Sequence, residues 1–258
     1  MQRMTDTPLE AGGSTSRSPL NADLLAILEA TREAERDLFG MLPAARREEG
    51  GAIGEWSAKD VRAHLAAWRA IEARRIEARL RGDAASTGDP APDDPIDASN
   101  AALRERRADW SWEAVARESD ASVESLLAAI GRSPNDILCE CDEWSVAGIG
   151  SNGVNHAVGH LPEIADMSGG LERFDTYARE LETILRRGHL PPRDSGVILY
   201  NIACQRALSG QLDEARRLLR DAFARRHDLL ESAREDPDLV ALADDLPSLA
   251  TARQADPA

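Results

Sequence analysis

Apolar residues recur at intervals of three and four along most of the chain, which is the spacing of one face of an α-helix. In the segment after Ser57, His64 shares this face with four apolar residues, namely Val61, Leu65, Trp68 and Ile71. The alternation of β-branched and polar residues that is typical of strands is almost absent. The pattern therefore predicts an all-α protein.

Capping and breaking residues divide the first two thirds of the chain into a series of predicted helices. These are a helix capped by Asn21, a helix from Ser57 to about Arg81, a short helix over 97–107, a helix capped by Ser111, and a glycine-rich helix over 144–164. Pro162 is expected to kink or end the last of them, because proline cannot donate the backbone hydrogen bond of an inner turn. The polar and acidic loop from Gly82 to Pro95 is expected to be a mobile cover or spacer.

The glycines that follow Ser168 mark a predicted boundary between two domains. Residues 1–19 are rich in Gly, Ser, Thr and Pro and are predicted to be disordered, and residues 20–168 form the first domain. Residues 171–258 form a second, smaller helical domain. It consists of an amphipathic helix from about Phe174 to Leu185, a helical pair that turns at Gly210, and a tail with short helical turns at most.

Charge and composition narrow the classes of partner. The formal net charge of −15 argues against nucleic acid or an anionic membrane as the main partner. No apolar run approaches the ~20 residues of a membrane span, and Met1 to Ser18 lack the core of a signal peptide. The three cysteines do not make a disulfide framework, and Cys139 and Cys141 are expected to be reduced thiols. These features predict a cytoplasmic protein.

Three of the five histidines lie on apolar helix faces. His156 and His160 are four residues apart, so they lie one above the other on one face of the glycine-rich helix and could share a metal ion. His64 comes from a second helix with a similar beginning, since Glu55-Trp56-Ser57 is repeated as Glu143-Trp144-Ser145. The alternative is a set of packed core histidines without metal. His189 and His227 are expected on the surface.

The segments GEWSAKDVRAHLAAW (54–68), IDASNAALRERRADWSWEAV (96–115) and EWSVAGIGSNGVNHAVGH (143–160) resemble the DinB-like superfamily, in particular its branch of colibactin self-protection proteins. The resemblance covers about residues 20–168 and implies a four-helix bundle. Members of this superfamily often hold a divalent metal by three histidines. Here the resemblance implies His64, His156 and His160 as ligands of zinc, nickel or iron, with a coordination position left open.

The segment from about 195 to 227 resembles a tetratricopeptide repeat through Tyr200-Asn201, Gly210, Asp213-Glu214-Ala215 and Ala222. One repeat is fewer than the roughly three that a free-standing solenoid needs. The resemblance therefore implies a small TPR-like domain that leans on its neighbours and offers a surface for a protein partner.

Two functions remain open from the sequence. The first is a metal-dependent enzyme, a hydrolase or a thiol-dependent transferase or isomerase, which acts on a reactive small molecule in detoxification or self-resistance. The second is a non-catalytic protein that sequesters a ligand or docks a partner, and either could be a homodimer. No catalytic residue is assigned. Asp60, Asn152, Asn155 and Glu163 could support the metal site but are more often ordinary helix residues, and Trp56, Trp68 and Trp144 are expected mainly to pack.

Overall fold

The computed structural model describes residues 18–51, 54–83, 95–134 and 146–251, and its regular structure is helical. The α-helices in these ranges are α1 (Pro19–Met41), α2 (Ala58–Leu80), α3 (Ile96–Glu105), α4 (Trp112–Arg132), α5 (Val146–Gly150), α6 (His156–Ser168), α7 (Leu171–Leu185), α8 (Pro192–Leu208), α9 (Leu212–Arg225), α10 (Leu229–Glu235) and α11 (Leu246–Thr251). A π-helical turn, Ser151–Asn155, joins α5 to α6, and 3₁₀ turns occupy Ala44–Arg46 and Pro237–Leu242. The all-α prediction is confirmed for the described residues.

Some predictions fall on residues outside these ranges. They concern the disorder of residues 1–17, the acidic loop over 84–94, the thiols of Cys139 and Cys141, and the packing of Trp144. The predicted disorder over 1–19 is wrong at its last two residues, because Ser18 caps α1 and Pro19 begins it.

Two of the three predicted capping residues lie at the start of a helix. Ser57 caps α2 in a reciprocal capping box with Asp60, and Ser111 caps α4. The predicted cap at Asn21 is wrong, because α1 begins earlier, at Pro19, with Ser18 as its cap. Proline is pre-organised for the first helical position. The Asn21 side chain instead donates a 2.7 Å hydrogen bond to the carbonyl oxygen of Ile130.

Pro162 does not end the glycine-rich helix. Helix α6 continues to Ser168, and Gly169 ends it in the left-handed conformation, at φ 73°. A proline removes one inner hydrogen bond, and the complete burial of Leu161 and Ile164 on either side offsets that loss. The departure from α-helical geometry comes before the histidines, at the π-helical turn.

Helices α1, α2, α4 and α6 pack around a shared apolar core, and α3 lies against α2. A single cluster of buried apolar side chains extends from Leu20 in α1 to Leu249 in α11, so it crosses the predicted boundary at residues 169–170. Within the described ranges, no helix combines the length and apolarity that a membrane crossing requires.

Helix α7 is bound closely to α1, although the sequence places it in the second domain. Tyr177 is completely buried, and its hydroxyl shares a 2.9 Å hydrogen bond with Thr31 of α1. Buried Asp23 of α1 accepts hydrogen bonds from Arg187 and binds His189, each at 2.8 Å. The division into two domains stays a prediction, but the two parts share one core.

We expect residues 171–258 expressed alone not to fold cooperatively, because the face of α7 around Tyr177 would lose its contact with α1. Circular dichroism and thermal melting of the fragment and of the whole chain would measure this. A helical, monomeric fragment with a sharp melting transition would contradict the expectation.

Candidate metal centre

Helix α2 and the segment from α5 to α6 pack against each other and run antiparallel, and polar side chains lie at their interface. One row, on α2, contains His64, Trp68 and Glu72, which are spaced by four residues. The opposing row contains Gly148, Asn152, His156 and His160, also spaced by four. Glu72 accepts a hydrogen bond from Asn152, and Trp68 stacks on His156. His64 lies edge to face against both His156 and His160.

The structure brings together the three histidines that the sequence singled out, called here the histidine cluster (His64, His156 and His160). The ring of His64 lies 5.0 Å from that of His156 and 5.5 Å from that of His160, measured between centroids. Two imidazoles that bind zinc tetrahedrally, with nitrogens about 2.0–2.1 Å from the ion, have centroids about 5 Å apart. The ring spacing therefore fits a shared ion.

Burial keeps the inner two histidines neutral. Loss of hydration, followed by the proximity of His156, His160 and Arg69, lowers the pKa of His64 to about 3. Loss of hydration, with smaller effects of His160 and Arg69, lowers the pKa of His156 to about 4. The Nδ1 atoms of both residues are buried without a hydrogen-bond partner among the described residues. A neutral imidazole with an unused buried nitrogen is the form in which histidine binds a metal.

The nitrogens of the three rings do not converge on one point, because no choice of one nitrogen per ring places all three within 4.8 Å of one another. The rings of His156 and His160 each lie edge to face against that of His64, with interplanar angles of 81° and 87°. Among the described residues, the three side chains whose ligand atoms all lie within 4.8 Å of one another are different ones, Cys204, Asp236 and Asp238. The three imidazoles would have to rotate about their side-chain bonds to direct one nitrogen each at a common point. The metal site stays a prediction.

Two tryptophans flank the histidine cluster. Trp56 stacks on His160 with an interplanar angle of 15°, and Trp68 stacks on His156 with an angle of 27°. The guanidinium of Arg104 in α3 lies 5.9 Å from the centroid of the Trp56 ring, and Asn100 of α3 accepts a 3.0 Å hydrogen bond from the indole of Trp68. Trp56 is thus part of the site, beyond the packing role that the sequence suggested.

Buried charges that the sequence analysis missed surround the cluster. Arg69 is 1% exposed, forms an ion pair with Glu35 of α1, and acts electrostatically on His64. Glu72 is completely buried and accepts a 3.1 Å hydrogen bond from Asn152. Its position two turns after His64 on the same face was a signal that could have identified it.

The four residues that the sequence suggested as supports of the metal site make different contacts in the structure. Asp60 completes the capping box of α2, so it has a structural role. Asn152 binds Glu72, and the Asn155 side-chain oxygen is buried without a partner in the described part of the chain. Glu163 lies 3.8 Å from Nδ1 of His160.

The cluster of Cys204, Asp236 and Asp238 has an ordinary structural explanation. Asp236 caps the 3₁₀ turn by accepting from the amide of Asp238, and it accepts a 2.5 Å hydrogen bond from Tyr200. Burial, followed by the nearby carboxylates, raises the pKa of the Cys204 thiol far above its usual range, so it remains protonated. His189 and His227 are exposed, as predicted.

Comparisons with known proteins add no relative: no protein family, no curated protein and no solved structure matches this chain significantly.

The depressed pKa of His64 makes the stability of the metal-free protein depend on pH. Because this pKa, about 3, lies below the ordinary 6.5, the unfolded chain takes up the proton first as the pH falls. The stability that neutral His64 contributes is therefore complete above pH 6.5 and is lost toward pH 3, at about 1.4 kcal/mol per pH unit.

Urea denaturation between pH 7.5 and 5 should show a steeper loss of the free energy of unfolding for the wild type than for His64→Gln. The exposed control His227→Gln should follow the wild type, and parallel profiles for wild type and His64→Gln would refute the burial argument.

The glycine at position 148 leaves room for a carboxyl group. A Cβ atom there would lie 2.6 Å from Oε1 of Glu72, whereas a Cβ at Gly159 would meet no atom within 4 Å. We expect Gly148→Ala to destabilise the protein by about 1–3 kcal/mol, and Gly159→Ala to stabilise it by up to ~1 kcal/mol through helix propensity. Urea denaturation of both glycine variants, each with and without the additional substitution Glu72→Ala, would measure how far the effect of each glycine substitution on the free energy of unfolding depends on Glu72. Equal effects of the two glycine substitutions would contradict the close approach.

Proposed function

We propose that this chain is a metal-dependent enzyme of the DinB-like type, a hydrolase or a thiol-dependent transferase or isomerase that acts on a reactive small molecule. The observation that carries the proposal is the histidine cluster, with ring centroids 5.0 and 5.5 Å apart and unpartnered nitrogens on His64 and His156. The mutual packing of α1, α2, α4 and α6 supports a DinB-like four-helix bundle.

The residues present fit a divalent metal. Three neutral imidazoles suit zinc, nickel or iron, and the buried Nδ1 atoms of His64 and His156 have no other partner among the described residues. Such a metal supplies Lewis-acid activation of a water molecule or a thiol. His64, His156 and His160 would hold it, while Trp56 and Trp68 restrict the orientation of the rings that they contact.

The exposure of the ligands indicates the side from which a substrate would enter. His160 is half-buried, whereas His64 is buried. A small molecule would therefore approach past His160, between Trp56 and Glu163, with Arg104 next to the Trp56 ring. Detoxification or self-resistance is the biological role that the resemblance favours.

The separation of the ring nitrogens favours a second candidate function, a non-catalytic protein that sequesters a ligand or docks a protein. Edge-to-face imidazoles between two tryptophans are also a stable packing arrangement without metal. In this alternative the hairpin of α8 and α9 would act as a TPR-like surface for a protein partner. Its helices pack through the small buried residues Ala203, Ala207 and Ala215.

Elemental analysis of protein purified without a histidine tag distinguishes the two functions. We expect about one equivalent of a divalent metal in the wild type, and its loss in His64→Ala and His160→Ala, because each substitution removes a ligand. The variants should retain most of their helical circular dichroism, since the aliphatic core is unchanged.

The control is His227→Ala, which removes an exposed histidine far along the chain and should leave the metal content unchanged. A wild-type protein that neither retains a metal nor binds added zinc, nickel or iron would contradict the enzyme proposal and favour the ligand-sequestering or docking function.

A further inference from the structure

Glu72 is a buried carboxyl group that is only partly satisfied. Its side chain has no exposed surface, and Oε2 accepts a hydrogen bond from the amide of Asn152 at 3.1 Å. Its Oε1 atom has no hydrogen-bond partner among the described residues, and the carboxyl group fills the space that a Cβ atom at Gly148 would take. An ionised carboxylate buried in this way is costly unless other charges compensate it.

Few charges act on Glu72. Arg75, on the same helix, lies 3.7 Å from Oε2 and is the charged group that affects the carboxyl. The facing residues of α5 and of the π-helical turn, Gly148 and Asn152, are uncharged. Burial outweighs the influence of Arg75 and of the hydrogen bonds and raises the pKa of Glu72 to about 7.

Glu72 lies near the histidine cluster without touching it. Asn152, its hydrogen-bond donor, comes one turn before His156, and Glu72 comes two turns after His64. One helical turn is about 5.4 Å long. An ion at the cluster would thus lie roughly one to two turns from the carboxyl, across an interior in which charges are weakly screened.

We propose that Glu72 carries a proton in the metal-free protein and releases it to solvent when a divalent cation enters the histidine cluster. This inference rests on the proposed metal site, and it names the group that would make metal binding depend on pH. The carboxylate that forms keeps its hydrogen bond from Asn152 and offsets part of the charge of the cation. Occupancy of the site would then rise with pH through the neutral range.

The buried histidines cannot be the source of this proton. With pKa values of about 3 and 4, His64 and His156 are already neutral near pH 6.5. Glu163, whose carboxylate lies 3.8 Å from Nδ1 of His160, is the carboxyl group beside the cluster and provides the matched control.

Isothermal titration of the metal-free protein with zinc at pH 6.5, in buffers of different ionisation enthalpy, counts the protons released. We expect the wild type to release between about one half and one proton more than Glu72→Gln. The matched control Glu163→Gln, a carboxylate closer to the cluster, should release as many as the wild type. Equal release by wild type and Glu72→Gln, or loss of release only in Glu163→Gln, would overturn the inference while leaving the metal site intact.

A second measurement needs no variant. Carbon-13 NMR of glutamate-labelled wild-type protein should show one carboxyl group that titrates near neutral pH without zinc and at least one pH unit lower with zinc. Zinc binding without any such decrease in the pH at which the carboxyl group titrates would overturn the inference that Glu72 releases the proton. A failure of the wild type to bind zinc would overturn the proposed function, and with it this inference.

Discussion

Removing an imidazole or a carboxyl group from water favours its neutral form, and the interface between α2 and α5–α6 does this to His64, His156 and Glu72. A protein tolerates such an interface when the polar groups satisfy one another or a ligand does. The hydrogen bond from Asn152 satisfies one oxygen of Glu72, whereas the Nδ1 atoms of His64 and His156 have no partner among the described residues. The proposed metal site and the proton on Glu72 are two consequences of the same desolvation.

The rest of the fold holds this interface in place. The buried Arg69–Glu35 ion pair joins α2 to α1, and the Thr31–Tyr177 hydrogen bond joins α1 to α7. Removal of one partner from a buried ion pair leaves an uncompensated buried charge, so loss of either Arg69 or Glu35 would be strongly destabilising. Helix α7 is therefore part of the support of the candidate site, although the sequence predicted it to belong to a second domain.

Glycines and the π-helical turn give the site its shape. Gly148 lies against Glu72, and Gly153 lies against Leu28, so a larger side chain at either position would require a neighbour to move. The π-helical turn precedes His156, where one wider turn changes the direction in which later side chains point. Turns of this kind are frequent at functional sites, and here the turn contains Asn152 and directly precedes His156, both of which face α2.

Local patterns in the sequence determined much of this picture. The three-and-four spacing predicted the helices, Ser57 and Ser111 predicted two helix starts, and the His156–His160 spacing with His64 predicted which imidazoles lie together. These features depend on side-chain periodicity and on hydrogen bonds within a few residues. Tertiary structure decided the rest. The partners of Asn21, Arg69 and Glu72 come from other helices, the helix survives Pro162 because its neighbours are buried, and the ring orientations depend on Trp56 and Trp68. Contacts between residues far apart in the chain arise only when the helices pack, because no local pattern records which helix lies opposite.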